Sequence, residues 1–286
     1  MLKRPWSNNQ LKRVTAAIRE GREGDVEPSF SEIAAWYDSL LSELQSDLLA
    51  YLEGHWIGPE ILFSARVKTI DTLRDKLRRY PNQRLNTVRD IIGLRVEADV
   101  HLRHQDALVE LVKACFEGKA EEIRTIDYRQ VDQFGYRAVH LELIFGEPVH
   151  ARAEVQIRTA LQGVWANIYE RMAEIFGREI RYNEAGEIVE KWSIIRKIRK
   201  YSTEAIARIE SDWTGADEWD VRLRTDPAFT EIKRKSPELE ATIKSQLAHM
   251  NDARQSILED WAKVESDLLE SLQQAEQRNS QENGGG

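Results

Sequence analysis

Cysteine is nearly missing from this chain of 286 residues: Cys115 stands alone, which excludes an internal disulfide and any zinc site built from several cysteines. It falls within an apolar helical pattern and reads as a small core residue. No apolar run approaches the length of a membrane-spanning helix, and the opening MLKRPWS lacks the apolar centre of a secretory signal. A cytoplasmic location without membrane contact is therefore expected. Positive charge is short as well. The net charge of −8 excludes a molecule that wraps nucleic acid over its whole surface. The basic residues are nevertheless clustered: Lys3, Arg4, Lys12, Arg13, Arg19 and Arg22 near the start, and KWSIIRKIRK over residues 191–200. Such local surfaces stay compatible with a phosphate-rich partner.

The length suffices for one large domain or two smaller ones, and eight tryptophans suggest well-anchored helices. A basic N-terminal arm, residues 1–28, ends in the joint GREGD at 21–25. Ser29 with Glu32 then forms a capping box, and Ile33, Trp36, Leu40, Leu41, Leu44, Leu48 and Leu52 recur at helical spacing up to Gly54. A second helix begins near Thr69, with Leu73 and Leu77 inward, and stops at Pro81. The pattern then alternates: a buried strand over 91–98, a helix over 105–116, and strands over 122–128 and 136–145. A GEP turn at 146–148 leads to another strand at Ala151. Strand, helix and successive strands predict an α/β (α+β) fold, a mixed sheet flanked by helices, with a mainly helical C-terminal extension over 186–277. In that extension Leu247, Met250, Ile257, Trp261, Val264, Leu268 and Leu272 step by three and four. A coiled coil and a docked helix both fit this stripe; Arg254 and the single Trp261 favour docking or an antiparallel hairpin. The polar, glycine-rich tail, 278–286, is expected to be disordered.

Residues 151–159, ARAEVQIRT, carry the sharpest signal. Two-residue alternation puts Arg152, Glu154, Gln156 and Arg158 on one strand face and Ala153, Val155 and Ile157 on the other. A merely solvated strand face has the same pattern. Upstream lie Arg66-Val-Lys68, the acid of Asp90-Ile-Ile-Gly-Leu-Arg95, and Gly135-Tyr-Arg-Ala-Val-His140. Arg66 and Lys68, two apart on an extended segment, can grip phosphate oxygens, while Thr72 and Lys76 lie one turn apart on the following helix. A solvated basic face gives the same arrangement. Asp90 also reads as a strand-entry acid paired with Arg89 or Arg95. His140 shares a strand face with Glu142, opposite Val139 and Leu141, which favours a polar position over a core one.

Taken together and in this order, the motifs resemble the synthetase domain of the RelA/SpoT family, the ATP-dependent pyrophosphokinases that make the alarmones ppGpp and pppGpp. The resemblance spans roughly residues 60–185 and implies a nucleotidyltransferase-like synthetase domain over 29–185. It implies that Arg66, Lys68, Thr72 and Lys76 bind ATP, with Thr72 standing where the family has serine. It makes Asp90 and Glu154 the catalytic acids and the magnesium ligands; Glu154 can in addition accept the hydroxyl proton or position the acceptor. Gly135 would let the backbone turn sharply before Tyr136, whose ring would stack on the acceptor guanine, with His140 beside the phosphates and Gln156 and Arg158 supporting the site.

Two departures bear on the acceptor. Asp132-Gln133-Phe134 replaces the family's lysine and asparagine or serine before the Gly-Tyr step, and Tyr169-Glu170 replaces its Glu-His. An aspartate near acceptor phosphates weakens binding of a free, highly charged nucleotide. The expected reaction is pyrophosphoryl transfer to GDP or GTP by a stand-alone small synthetase. The alternative is the toxic branch of the small alarmone synthetases, a toxin with an antitoxin protein as partner. It would modify the 3′ CCA end of tRNA held through residues 191–200 and 3–22. A third reading is an interaction module that keeps the fold without catalysis, and the joint presence of Arg66, Lys68, Asp90, Glu154 and Gln156 argues against it. A homo-oligomer is compatible with all three.

Overall fold

The computed structural model describes residues 2–131, 134–177, 180, 189–228 and 234–283. They divide into two compact units, one of residues 1–98, 105–127 and 138–157, the other of residues 99–104, 128–137 and 158–286.

The first unit opens on a helix, α1 (Asn8–Glu20), within the segment expected as a basic arm. Ser7 and Gln10 cap it reciprocally, Leu11, Val14, Ala17 and Ile18 are buried, and Gly21 closes it in the left-handed conformation at φ 74°. Four apolar residues on one face make packing against α3 more favourable than solvation. The expected joint at 21–25 is a short 3₁₀ turn (Glu23–Asp25) whose Glu23 pairs with Arg74. Helix α2 (Phe30–His55) carries the predicted Ser29–Glu32 box and buries its whole leucine stripe. Each such leucine contributes about 1.5–3 kcal/mol of apolar burial. α3 (Ile70–Arg79) starts at Thr69 and turns Leu73 and Leu77 inward, as its spacing predicts.

Five strands form one mixed sheet: β1 (Ile61–Val67), β2 (Ile92–Ala98), β3 (Glu122–Asp127), β4 (Val139–Phe145) and β5 (Ala151–Thr159), in the order β1-β2-β5-β4-β3. The pairs β1/β2, β3/β4 and β4/β5 are antiparallel. β4 begins at Val139 rather than Tyr136; Phe134 and Gly135 turn the chain at positive φ, and Tyr136 just after them makes only an isolated bridge. One sheet face is apolar, with Ile92, Leu94 and Val96 of β2, Val139, Leu141 and Leu143 of β4, and Ala153, Val155 and Ile157 of β5 all buried. Helix α4 (Leu102–Phe116) contributes Leu108, Val109, Val112 and Phe116 to this core, and its Gln105 amide donates to the Ile157 carbonyl at 3.0 Å. Cys115 is free and buried there, as expected.

The second unit is helical: α5 (Ala160–Phe176), α6 (Val189–Lys200), a π-helical turn (Tyr201–Ile206), α7 (Ala207–Thr225) and α8 (Pro237–Asn283). α8 packs along α5 and α7, which selects docking over a free coiled coil. Arg254, the break in its apolar stripe, lies 4.3 Å over the Trp213 ring and pairs with Asp99, and Trp261 stacks on Tyr201. The backbone stays helical through Asn283, inside the segment expected to lose order. Gln, Glu and Arg sustain a helix there, and the first glycine comes only at 284, where the described residues end.

Candidate functional site

β5 keeps its predicted alternation: Ala153, Val155 and Ile157 point into the core, and Arg152, Glu154 and Gln156 are half-buried on the other face. The strand register brings β4 beside it, with His140 opposite Gln156 and Glu142 opposite Glu154. β1 and β2 extend the same polar surface, since Ser64 pairs with Arg95 and Arg66 with Gly93. A depression of about 110 Å³ lies here, lined by Ser64, Arg66, Gly93, Arg95 and Gln156.

Two charge clusters occupy this unit. Asp90, at the mouth of β2, takes Lys76 Nζ on one oxygen at 2.7 Å and Lys68 Nζ on the other at 2.9 Å. Burial pushes the Asp90 carboxyl up, but the two ammonium groups outweigh it and hold the acid below its ordinary range. Lys68 is set by its own backbone N–H, which donates to the Ile91 carbonyl. Lys76 is set by the α3 turn that buries Leu73 and Leu77. Thr72 lies one turn before Lys76 and donates to the Thr69 carbonyl at 2.9 Å.

Glu154 anchors the other cluster, with His140 Nδ1 at 3.1 Å from one oxygen and the Gln156 amide donating to the other at 2.8 Å. Burial raises this carboxyl too; His140, Gln156 and the charge of Lys76 reverse that and bring it down to about 2. Lys76 therefore acts on both acids.

Polarity misled the sequence reading of β4. His140 and Glu142 are 7% and 2% exposed, so the β4 face read as polar is buried as well. Glu142 is compensated there by Arg152 Nη1 at 2.6 Å and by Arg89 Nε at 3.5 Å. Arg95 is a residue of the depression that was read only as a counter-ion for Asp90. Its signal is the Gly93-x-Arg95 spacing on β2, which sets Gly93 opposite Arg66 and Arg95 opposite Ser64 of β1.

The expected magnesium ligands are Asp90 and Glu154. Among the described residues no three His, Cys, Asp or Glu side chains converge as a metal cluster. Both acids are held ionised, and magnesium commonly takes one or two carboxylates and fills its shell with water and substrate phosphates. The donor set fits a magnesium ion that shares its shell with substrate phosphates.

Tyr136, Gly135 and Arg158 belong to the other unit. Arg158 is buried, donates from Nη2 to the Tyr136 hydroxyl at 2.9 Å, and lies 5.3 Å from the ring centre. Tyr128 meets the same ring edge-on at 5.7 Å. Gly135 sits at φ 88°, where an added Cβ would come within 2.9 Å of the Arg199 Cα and of the Trp165 ring. Asp132 and Gln133, the altered acceptor loop, lie outside the described residues. Tyr169, the first residue of the other departure, donates its hydroxyl to the Ile180 carbonyl at 2.8 Å and stacks on Trp165.

The model of the region found in RelA/SpoT proteins matches residues 65–173, which take in Arg66, Lys76, Asp90, Glu154 and the Gly135-Tyr136 step. Curated proteins of Mycobacterium tuberculosis (strain H37Rv) and Mycobacterium bovis, both uncharacterized, are 35% identical to this chain over 251 residues, covering 85% of it and 89% of each relative. The chain belongs to the RelA/SpoT family. It thereby joins a family of ATP-dependent pyrophosphotransferases. Among solved structures, small alarmone synthetase 1 from Bacillus subtilis bound to its product pppGpp is 21% identical, at a TM-score of 0.47, covering 74% of this chain and 98% of that one. A GTP pyrophosphokinase family protein from Streptococcus pneumoniae is 24% identical at a TM-score of 0.46, over 65% and 95% of the two chains. No helix among the described residues is long and apolar enough to cross a membrane.

Proposed function

We propose that this RelA/SpoT-family chain transfers the β,γ-diphosphate of ATP to the ribose 3′-hydroxyl of GDP or GTP. The observation that carries the reading is the pair of ionised acids on the polar side of the sheet, Asp90 between Lys68 and Lys76, and Glu154 between His140 and Gln156. Two lysines on one aspartate form a cluster with surplus positive charge, which an incoming triphosphate satisfies better than a single carboxylate does. Arg66, Lys68 and Lys76 then hold phosphate oxygens, with the Thr72 hydroxyl one turn away. Asp90 and Glu154 are the residues that would hold magnesium, which would neutralise charge on the triphosphate.

In the transfer, the acceptor 3′-oxygen bonds to the β-phosphorus, the bond between that phosphorus and the α-bridging oxygen breaks, and AMP leaves. With its carboxyl near 2, Glu154 is a weak base before the reaction starts. It orients the hydroxyl and receives the proton late, as the new bond makes that proton acidic. Tyr136 offers its ring to the guanine, with Arg158 fixing the phenol.

A guanine nucleotide is preferred to tRNA as acceptor because part of the charge in the basic segments is spent internally, although Lys12, Arg13, Arg196, Lys197 and Lys200 stay exposed. Arg19 donates to the Leu77 and Gln83 carbonyls, Arg4 to the His150 carbonyl, and Arg199 to the Ile180 carbonyl. The test is a transfer assay with terminally labelled ATP and magnesium, offering GDP, GTP and deacylated tRNA in parallel and following AMP. Label on GDP or GTP is the expected result. Label on tRNA alone would replace this acceptor with the toxin's, and no AMP with any acceptor would leave an interaction module.

A further inference from the structure

Helix α7 lies beyond the residues matched to the family region, yet one of its side chains is a buried acid with three side-chain partners. Glu210 is fully buried. One of its oxygens takes the Arg137 guanidinium at 3.0 Å; the other takes the Thr159 hydroxyl at 2.5 Å and the Gln162 amide at 2.8 Å. Thr159 and Gln162 are also the reciprocal cap of α5. Two of the three residues that Glu210 grips, Arg137 and Thr159, are the immediate chain neighbours of Tyr136 and Arg158. A second hold acts on the same segment, because Ser202 of the π turn donates to the Gly135 carbonyl at 2.6 Å.

We propose that Glu210 is a positioning residue for acceptor binding, fixing the backbone on either side of the Tyr136–Arg158 pair so that the ring is held at one angle for the base. This rests on the reading of Tyr136 as the acceptor-stacking residue. Glu210 touches no substrate itself; its carboxylate bridges two chain segments that are far apart in sequence. Both are short, and Phe134 and Gly135 lead into one of them with positive φ, so a bond at Arg137 is what stops that segment from swinging. A buried, charge-assisted bridge of this type holds a geometry more tightly than neutral hydrogen bonds do.

Glu210→Gln keeps the shape and the acceptor for Thr159 while removing the charge that holds Arg137. Steady-state kinetics of the full chain, with ATP saturating and GDP or GTP varied, should show the acceptor KM rising about tenfold, the equivalent of one charge-assisted hydrogen bond. The KM for ATP should stay within twofold. Arg137→Gln reads the same contact from its other end and serves if Glu210→Gln melts without a cooperative transition. The double variant should cost no more than the worse single one. An unchanged acceptor KM in both single variants, with Tyr136→Ala raising it, overturns the positioning role and leaves the acceptor site standing. A parallel rise in both KM values also overturns it, as a general loss of structure. If Tyr136→Ala leaves the acceptor KM alone, the acceptor reading fails and the positioning role with it.

Discussion

Replacing Glu154 by glutamine tests the electrostatics of the sheet surface most directly. The side chain keeps its size and its strand position and loses only its charge. In the folded protein the carboxyl is brought down to about 2, against about 4.3 for glutamate in an unfolded chain. That difference corresponds to about 3 kcal/mol of preferential stabilisation of the ionised folded state at neutral pH. Because the folded value is depressed, this stability is fully present above about pH 4.3 and is lost as the pH falls towards 2. Glutamine still offers one carbonyl oxygen, to either His140 or Gln156, and recovers part of it. Glu154→Gln is therefore expected to lower unfolding stability by about 1–3 kcal/mol at pH 7, and by clearly less at pH 3. Urea titrations at both pH values, read by tryptophan fluorescence and far-UV dichroism, give the two differences. A gap that is the same at pH 7 and pH 3 would show that the Glu154 charge is not held as described. The same variant should lose transfer activity while retaining ATP binding, measured by equilibrium titration with a non-hydrolysable ATP analogue.

The other substitutions separate the two substrates. Tyr136→Ala should raise the acceptor KM at least tenfold and leave the KM for ATP within twofold, as the loss of one stacked ring predicts. Lys76→Met removes a cation that faces both Asp90 and Glu154, so ATP affinity should fall by about tenfold or more and both carboxyls should titrate higher, which carboxyl-carbon NMR would register. Gly135→Ala places a methyl within 2.9 Å of the Arg199 backbone and the Trp165 ring at a φ that favours glycine. A loss of about 1–3 kcal/mol in thermal or urea unfolding is expected, and an unchanged midpoint would contradict that packing.

How much of this was legible in the chain depends on how local the cause is. The Ser29–Glu32 cap, the leucine stripe of α2, Leu73 and Leu77 on α3, and the alternation of β5 all depend on neighbours a few residues away, and all are found as expected. α1 was equally local, with Ser7 three before Gln10 and Leu11, Val14 and Ile18 on one face, but its six nearby cations drew the reading towards an arm. His140 and Glu142 illustrate the other limit. Alternation put them on the polar face, while their burial comes from residues distant in sequence, among them Arg89 for Glu142. Asp90 and Lys76 were singled out separately, and only the fold joins them through one carboxylate oxygen. Glu210 had no local mark at all, since its partners lie 73, 51 and 48 residues away.

The π turn between α6 and α7 has a consequence for phase. Ser202 and Glu210 are eight residues apart, and eight steps of an α-helix leave side chains about 80° out of alignment. A π turn spends more residues on each revolution, so Tyr201–Ile206 winds more slowly and takes back most of that offset. The hydroxyl that holds Gly135 and the carboxylate that holds Arg137 thus come onto one side of a single rod, spaced like two teeth of a key. Wound as an ordinary α-helix, the same residues would turn one tooth away whenever the other engaged.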